Sequence, residues 1–138
     1  RADSCGMNMG LTICYDLRFP HLYRRLARDG AEMLAIPAAF TFNSGKAHWH
    51  VLLRARAIET GCFVVAAAQC GTHADGRRTY GHALIVSPWG EIMAEAATDD
   101  GNAAAGANDA VIHAALDPQA VTRARTAIPS LETQPAFS

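Results

Sequence analysis

The sequence predicts an α/β fold with a mixed sheet flanked by helices, and three observations carry that reading. Short apolar stretches at Met9 to Cys14 and Met33 to Ile36 bracket a segment of helical spacing. This strand, helix, strand order pairs strands in parallel through a right-handed crossover. A long helical pattern over Ser44 to Thr60 then runs into the continuous Val- and Ala-rich run Cys62 to Gln69, which fits a strand buried on both faces. Finally, Gly81 to Val86 and Glu91 to Glu95 flank Pro88-Trp89-Gly90 as the two arms of a hairpin.

Each element has a local reason. Met9 to Cys14 is short and apolar, introduced by Gly6 and Gly10, and Pro20 suits the first position of the helix that follows. In that helix Leu22, Tyr23 and Leu26 recur at helical spacing, Arg24, Arg25 and Arg28 read as a solvated face, and Gly30 is a natural stop. Pro37 closes Met33 to Ile36. Both strands of the unit then end on one edge, so Ala38, Ala39, Phe40 and Thr41 emerge beside Cys14.

The long helix takes Ser44 as its cap and Gly61 as its end. Trp49, Leu52, Leu53 and Ala57 form its apolar stripe, which Val51, Ala55 and Ile58 widen. Arg54, Arg56 and Glu59 sit in this apolar setting and should be ion-paired or hydrogen-bonded, Glu59 with Arg56 one turn earlier. His48 and His50 invite a metal reading, but positions two apart on a helix diverge by roughly 200°. Shared metal binding by that pair is not expected.

After Cys62 to Gln69, the polar stretch Thr72 to Thr79 is a connection that turns at Asp75-Gly76. His82 reads equally as a satisfied interior histidine or a catalytic one. Ala96 to Asp109, rich in Ala, Gly, Asn and Asp, is expected to be a mobile loop, and Ala110 to Leu116 a strand. Asp117-Pro118 opens a short helix in which Val121, Ala124 and Ile128 share a face, and the tail from Pro129 to Ser138 lacks periodicity.

Composition bounds the function. The chain has 138 residues, half of them apolar, and a formal net charge of −1. That suffices for one cored domain and leaves no basic footprint for nucleic acid and no polybasic membrane anchor. The apolar runs are too short to span a bilayer, and the first residues lack a signal-peptide pattern. A cytoplasmic protein is the expectation. Cys5, Cys14, Cys62 and Cys70 have no zinc-like spacing. They read as reduced thiols, with Cys62 and Cys70 at the two ends of one strand.

Cys14 stands out because an apolar strand ends in it and turns at once into a helix start, at the sheet edge where open α/β folds bind ligands. The turn aims backbone N–H groups at the same place, where they can steady an oxyanion.

The run Cys14-Tyr15-Asp16-Leu17-Arg18-Phe19-Pro20 closely resembles the nucleophile motif of the nitrilase superfamily of carbon–nitrogen hydrolases, above all its omega-amidase and deaminated-glutathione-amidase branch. The resemblance continues in order through Gly30-Ala31-Glu32, Pro37-Ala38-Ala39-Phe40, Ala47-His48-Trp49, Leu53-Arg54-Ala55-Arg56-Ala57-Ile58-Glu59, Ala67-Ala68-Gln69-Cys70-Gly71, Tyr80-Gly81-His82, Pro88-Trp89-Gly90 and Ile128-Pro129-Ser130-Leu131. It implies half of an α-β-β-α sandwich, with residues 1–138 the C-terminal portion of a single hydrolase domain.

It further implies that Cys14 attacks a small-molecule amide or nitrile and forms a thioester, without metal or other cofactor. The backbone N–H of Tyr15 would bind the oxyanion, and Ala39, Phe40 and Thr41 would line the substrate pocket. The family's glutamate base and lysine precede the cysteine, so they are not expected in this chain, whose single lysine, Lys46, follows it. The chain alone should be nearly inactive. Uncovered sheet should drive it to a homo-oligomer or to association with a missing N-terminal half. The alternative is a non-catalytic oligomerising module of the same fold.

Overall fold

A computed structural model describes residues 2–4, 6–96 and 109–133. Cys5, most of the polar stretch Ala96 to Asp109 and the last five residues lie outside the described residues.

The first apolar stretch forms β2 (Met7–Leu11), preceded by β1 (Ala2–Ser4). A 3₁₀ turn (Cys14–Arg18) leads into α1 (Pro20–Arg28), with Pro20 in its first turn as expected. Next come β3 (Met33–Ala35), α2 (Phe42–Thr60), β4 (Phe63–Ala66), β5 (Cys70–Thr72), β6 (Arg78–Tyr80), β7 (Leu84–Val86), β8 (Ile92–Glu95) and α3 (Gln119–Ala127).

Six strands make one sheet in the order β1-β2-β3-β4-β7-β8. β2, β3 and β4 run parallel, whereas β1 and the β7–β8 hairpin are antiparallel, so the sheet is mixed. β5 and β6 form a separate small hairpin that turns at Asp75-Gly76.

Strand alternation sends side chains to two cores. On one face Leu34, Ile36, Val64, Ala66, Leu84 and Val86 pack under Tyr23 and Ala27 of α1 and Trp49, Leu53 and Ala57 of α2. On the other, Met7, Met33 and Phe63 pack with Val121 of α3. Apolar side chains that keep this period of two are what fix the register, since a one-residue slip would exchange the two faces.

Several expectations need correction. α2 starts at Phe42, with Thr41 rather than Ser44 at its N-cap position, because Thr41 O already accepts the first helical bond from Gly45 N–H at 2.8 Å and Ser44 lies inside the first turn. Gly61 ends it as expected, at φ 60°, where a side chain would be strained. Val51 and Ile58 do not widen the buried stripe but are exposed. Cys62 and Cys70 do not share a strand, since Cys62 precedes β4 and Cys70 opens β5.

Ala110 to Leu116 does not form a strand. The arginines of α1 are not a purely solvated face. Arg25 pairs with Asp29, but Arg24 donates to the Ser130 and Thr133 carbonyls, and Arg28 donates to that of Leu131 at 2.9 Å. These bonds strap the C-terminal segment to α1.

Candidate active site

The site begins with the end of β2. The ladder continues past the strand through Thr12 N–H to Ala35 O at 3.1 Å, and Cys14 N–H donates to Pro37 O at 2.8 Å. Between them Ile13 is still extended, at φ −142° and ψ 128°. Cys14 then reverses to φ 46°. A non-glycine residue in that region is uncommon and costs on the order of 1–3 kcal/mol, so the surroundings must hold it.

They do so from three sides. Asp16 Oδ2 accepts the Ile13 N–H at 2.9 Å, closing the turn from within. Thr12 Oγ1 donates to Ala35 O at 3.1 Å, and because a threonine has a single hydroxyl proton, Tyr23 O–H must be the donor in its 2.8 Å bond to Thr12. Burial pushes the Tyr23 hydroxyl up to about 12, against the opposing pull of its bond to Thr12, so it stays a donor at ordinary pH.

From α2, Arg56 reaches across to Leu17 O with two N–H groups, at 2.7 and 3.1 Å. Only 5% of Arg56 is exposed, and its remaining bond goes to Glu59 Oε1 at 2.9 Å. Burial raises the Glu59 carboxyl above its ordinary range, partly offset by this arginine.

The loop after β3 lies against the turn, as expected, through the Cys14–Pro37 bond. Ala39 is half-buried, Phe40 is buried on Trp49 with ring centres 5.0 Å apart, and Thr41 is exposed. The Tyr15 side chain is exposed, and its amide falls at the start of the 3₁₀ turn, where N–H groups have no acceptor within the turn. Arg18 places its guanidinium 5.1 Å from the Phe40 ring centre and 5.5 Å from that of Tyr15. This cation was not singled out in the sequence, because a motif arginine does not reveal which loop it will face.

The remaining candidates have other partners. Glu32 accepts the Asn8 amide at 3.1 Å, Glu59 pairs with Arg56, and Lys46 is exposed on α2. The rings of His48 and His50 diverge, as the helix geometry requires: His48 Nδ1 meets Arg18 at 3.3 Å, and His50 Nε2 meets Glu95 at 2.9 Å. Cys62 is buried, donates to Ala31 O at 3.3 Å and accepts from Arg125, and burial raises its thiol. Cys14 therefore differs from Cys62 in that it lies at the sheet edge against a loop.

The model of the carbon–nitrogen hydrolases matches residues 2–126. The chain belongs to the carbon–nitrogen hydrolase family. A protein of Synechocystis sp. called deaminated glutathione amidase is 50% identical over 131 residues, which cover 95% of this chain and 44% of that protein. The chain thus spans under half the length of that curated relative.

The crystal structure of the Caenorhabditis elegans NitFhit protein superposes with a TM-score of 0.83 at 41% identity, covering 96% of this chain and 30% of that one. An amidase variant from Nesterenkonia sp. AN1, with the acetamide moiety of fluoroacetamide covalently added at its active-site cysteine, matches with a TM-score of 0.63 at 29% identity. That match covers 75% of this chain and 37% of the amidase. The mixed sheet flanked by helices is therefore that of the family's nitrilase-like fold, and its similar proteins include named amidases.

Proposed function

We propose that this hydrolase chain carries the nucleophile of an amidase that cleaves a small amide through a thioester on Cys14. The observation that carries the reading is the strained Cys14, held at φ 46° with its amide tied to Pro37 O, beside a loop that can line a pocket. Strain at the end of a parallel strand, where the next element turns away, presents a side chain at the sheet edge. The acetamide moiety covalently added at the active-site cysteine of the Nesterenkonia amidase supports a nucleophilic thiol in a protein of this fold.

In the proposed reaction the Cys14 thiolate adds to the amide carbonyl carbon, and the oxyanion is met by the Tyr15 N–H. Collapse expels the amine, which takes up a proton, and leaves the thioester. Water then adds to the thioester and releases the acid and the thiol. Ala39, Phe40 and Thr41 border the acyl group, and the Arg18 guanidinium offers an ion pair to a substrate carboxylate, a group that a deaminated glutathione would carry.

A glutamate base and an oxyanion-binding lysine would come from a segment that is not among these residues. Leu11, Ile13, Tyr15 and Phe19 are exposed around the turn and would be covered by it. Without those groups turnover should fall by orders of magnitude. The test is mass spectrometry of the intact protein that contains this chain after reaction with fluoroacetamide. An adduct on the Cys14 peptide, and loss of amide hydrolysis in Cys14→Ser, is the expected result. Adducts confined to Cys62 or Cys70, or hydrolysis retained by Cys14→Ser, would overturn the proposal.

A further inference from the structure

Away from Cys14, three side chains from separate elements converge. His50 lies in the middle of α2, His82 in the short link between β6 and β7, and Glu95 at the end of β8. Glu95 Oε1 lies 2.9 Å from His50 Nε2 and 2.5 Å from His82 Nδ1, and all three donor atoms fall within 4.8 Å of one another. No sequence spacing predicts this, since Glu95 is 45 residues from His50 and 13 from His82.

The cluster is held from several sides. His82 adopts φ 59°, its carbonyl accepts the Trp49 indole N–H at 2.7 Å, and its ring stacks on Tyr80 at 4.2 Å. His50 stands edge-on to His82, with ring centres 5.1 Å apart. Two imidazole nitrogens and a carboxylate suit Zn²⁺, which takes such sets with a fourth position left for water. Magnesium and calcium prefer oxygen donors alone.

We propose that His50 Nε2, His82 Nδ1 and Glu95 bind a Zn²⁺ ion that fastens α2 to the β7–β8 hairpin. Zinc–ligand bonds of about 2.0–2.2 Å in a tetrahedron put the donor atoms roughly 3.4 Å apart. The carboxylate then has to retreat by about 1 Å or less, and the two ring nitrogens, which lie within 4.8 Å of each other, have to close by up to about 1.4 Å. The imidazole protons that now point at Glu95 move to His50 Nδ1 and His82 Nε2. Each ring then turns a lone pair to the metal. With three protein ligands the fourth position stays with water, so the ion bridges the two elements without a closed coordination sphere, and this does not depend on the amide chemistry proposed for Cys14.

The test is calorimetric titration of ZnCl₂ into the metal-stripped intact protein, with thermal unfolding followed in parallel. One Zn²⁺ per chain at this site and a higher unfolding midpoint are expected. Glu95→Gln should weaken the affinity at least about tenfold. His50→Gln should do the same while it keeps an amide donor for Glu95, so its metal-free midpoint should stay close to the parent's. Titration of Cys14→Ser and Cys70→Ser separates thiol binding from this site. Unchanged affinity in His50→Gln and Glu95→Gln, loss of binding only in the cysteine variants, or no binding at all would each overturn the proposal.

Discussion

Cys14 and His82 are the two non-glycine residues with positive φ among the described residues, at 46° and 59°. They are held in different ways. Around Cys14 the clamps act on backbone: Pro37 O takes its amide, Asp16 takes the amide of Ile13, and Arg56 takes the carbonyl of Leu17. Around His82 they also act on the side chain, through Glu95 and the Tyr80 ring, in addition to Trp49 at the carbonyl. The first arrangement suits the nucleophile proposed for Cys14. The second suits one that holds a fixed partner. Strain by itself therefore does not name a role, and what the surrounding bonds grip does.

The largest expected effect separates the two regions through Arg56. Arg56→Met fills similar space but leaves Leu17 O without either of its two donors and Glu59 without its cation. Losing bonds from a buried charged donor, with a carbonyl orphaned, should cost about 3 kcal/mol by urea unfolding. Because Arg56 acts through the turn, it is a positioning residue. Acylation of Cys14 in the intact protein should slow while Zn²⁺ affinity at His50, His82 and Glu95 stays the same. If acylation kept its rate in folded Arg56→Met, the turn would not need its clamp.

A smaller effect should strike the other region through Gly45. Within a helix, alanine in place of glycine ordinarily stabilises by up to about 1 kcal/mol. Here the added Cβ would lie 2.2 Å from Tyr80 Cβ, a contact next to the backbone that no rotamer can relieve. Overpacking of that kind costs about 1–3 kcal/mol, so the clash should outweigh the propensity gain and leave Gly45→Ala destabilised by up to about 2 kcal/mol. Displacing Tyr80 disturbs the ring stacked on His82, so Zn²⁺ affinity should fall more than the rate of Cys14 acylation. The opposite ranking would show that Tyr80 serves the Cys14 loop, which its N–H reaches through Phe40 O at 3.0 Å.

The difference between the regions also explains what could be read from sequence. The strand, thiol and helix start around Cys14 are contiguous, so local pattern was enough to single them out, and α1, α2 and the parallel strands followed from periodicity. The His82 cluster is assembled by long-range folding, and its members show no spacing. The spacing argument against a metal at His48 and His50 was sound for that pair and silent about Glu95.

Residues 110–116 show the same limit. Ile112, Ala114 and Leu116 are half-buried while Val111, His113 and Ala115 are exposed, so the alternation is real, yet these residues are not part of a strand. Period two reports an extended chain with one sheltered face, and pairing needs a neighbour that the pattern does not encode. Arg24 and Arg28 were legible as a charged face but not as donors to carbonyls more than a hundred residues away, a separation their bonds record as 106 and 103.

The smallest effect is a pH dependence that tests whether Glu95 really belongs to the histidines in the metal-free protein. Burial alone would raise its carboxyl, but the bonds from His50 of α2 and from His82 outweigh this and hold it below the ordinary value of 4.5. A carboxyl lowered on folding binds its proton more weakly in the folded chain than in the unfolded one. Its contribution to stability is therefore present above pH 4.5 and is lost as pH falls through the lower folded value. Glu95→Gln has no such proton to gain. The parent should accordingly be the more stable of the two near neutrality, and the gap between their unfolding midpoints should close on acidification below pH 4.5. A gap that stays constant through that range would mean that the carboxylate is not held by these two rings in the metal-free protein.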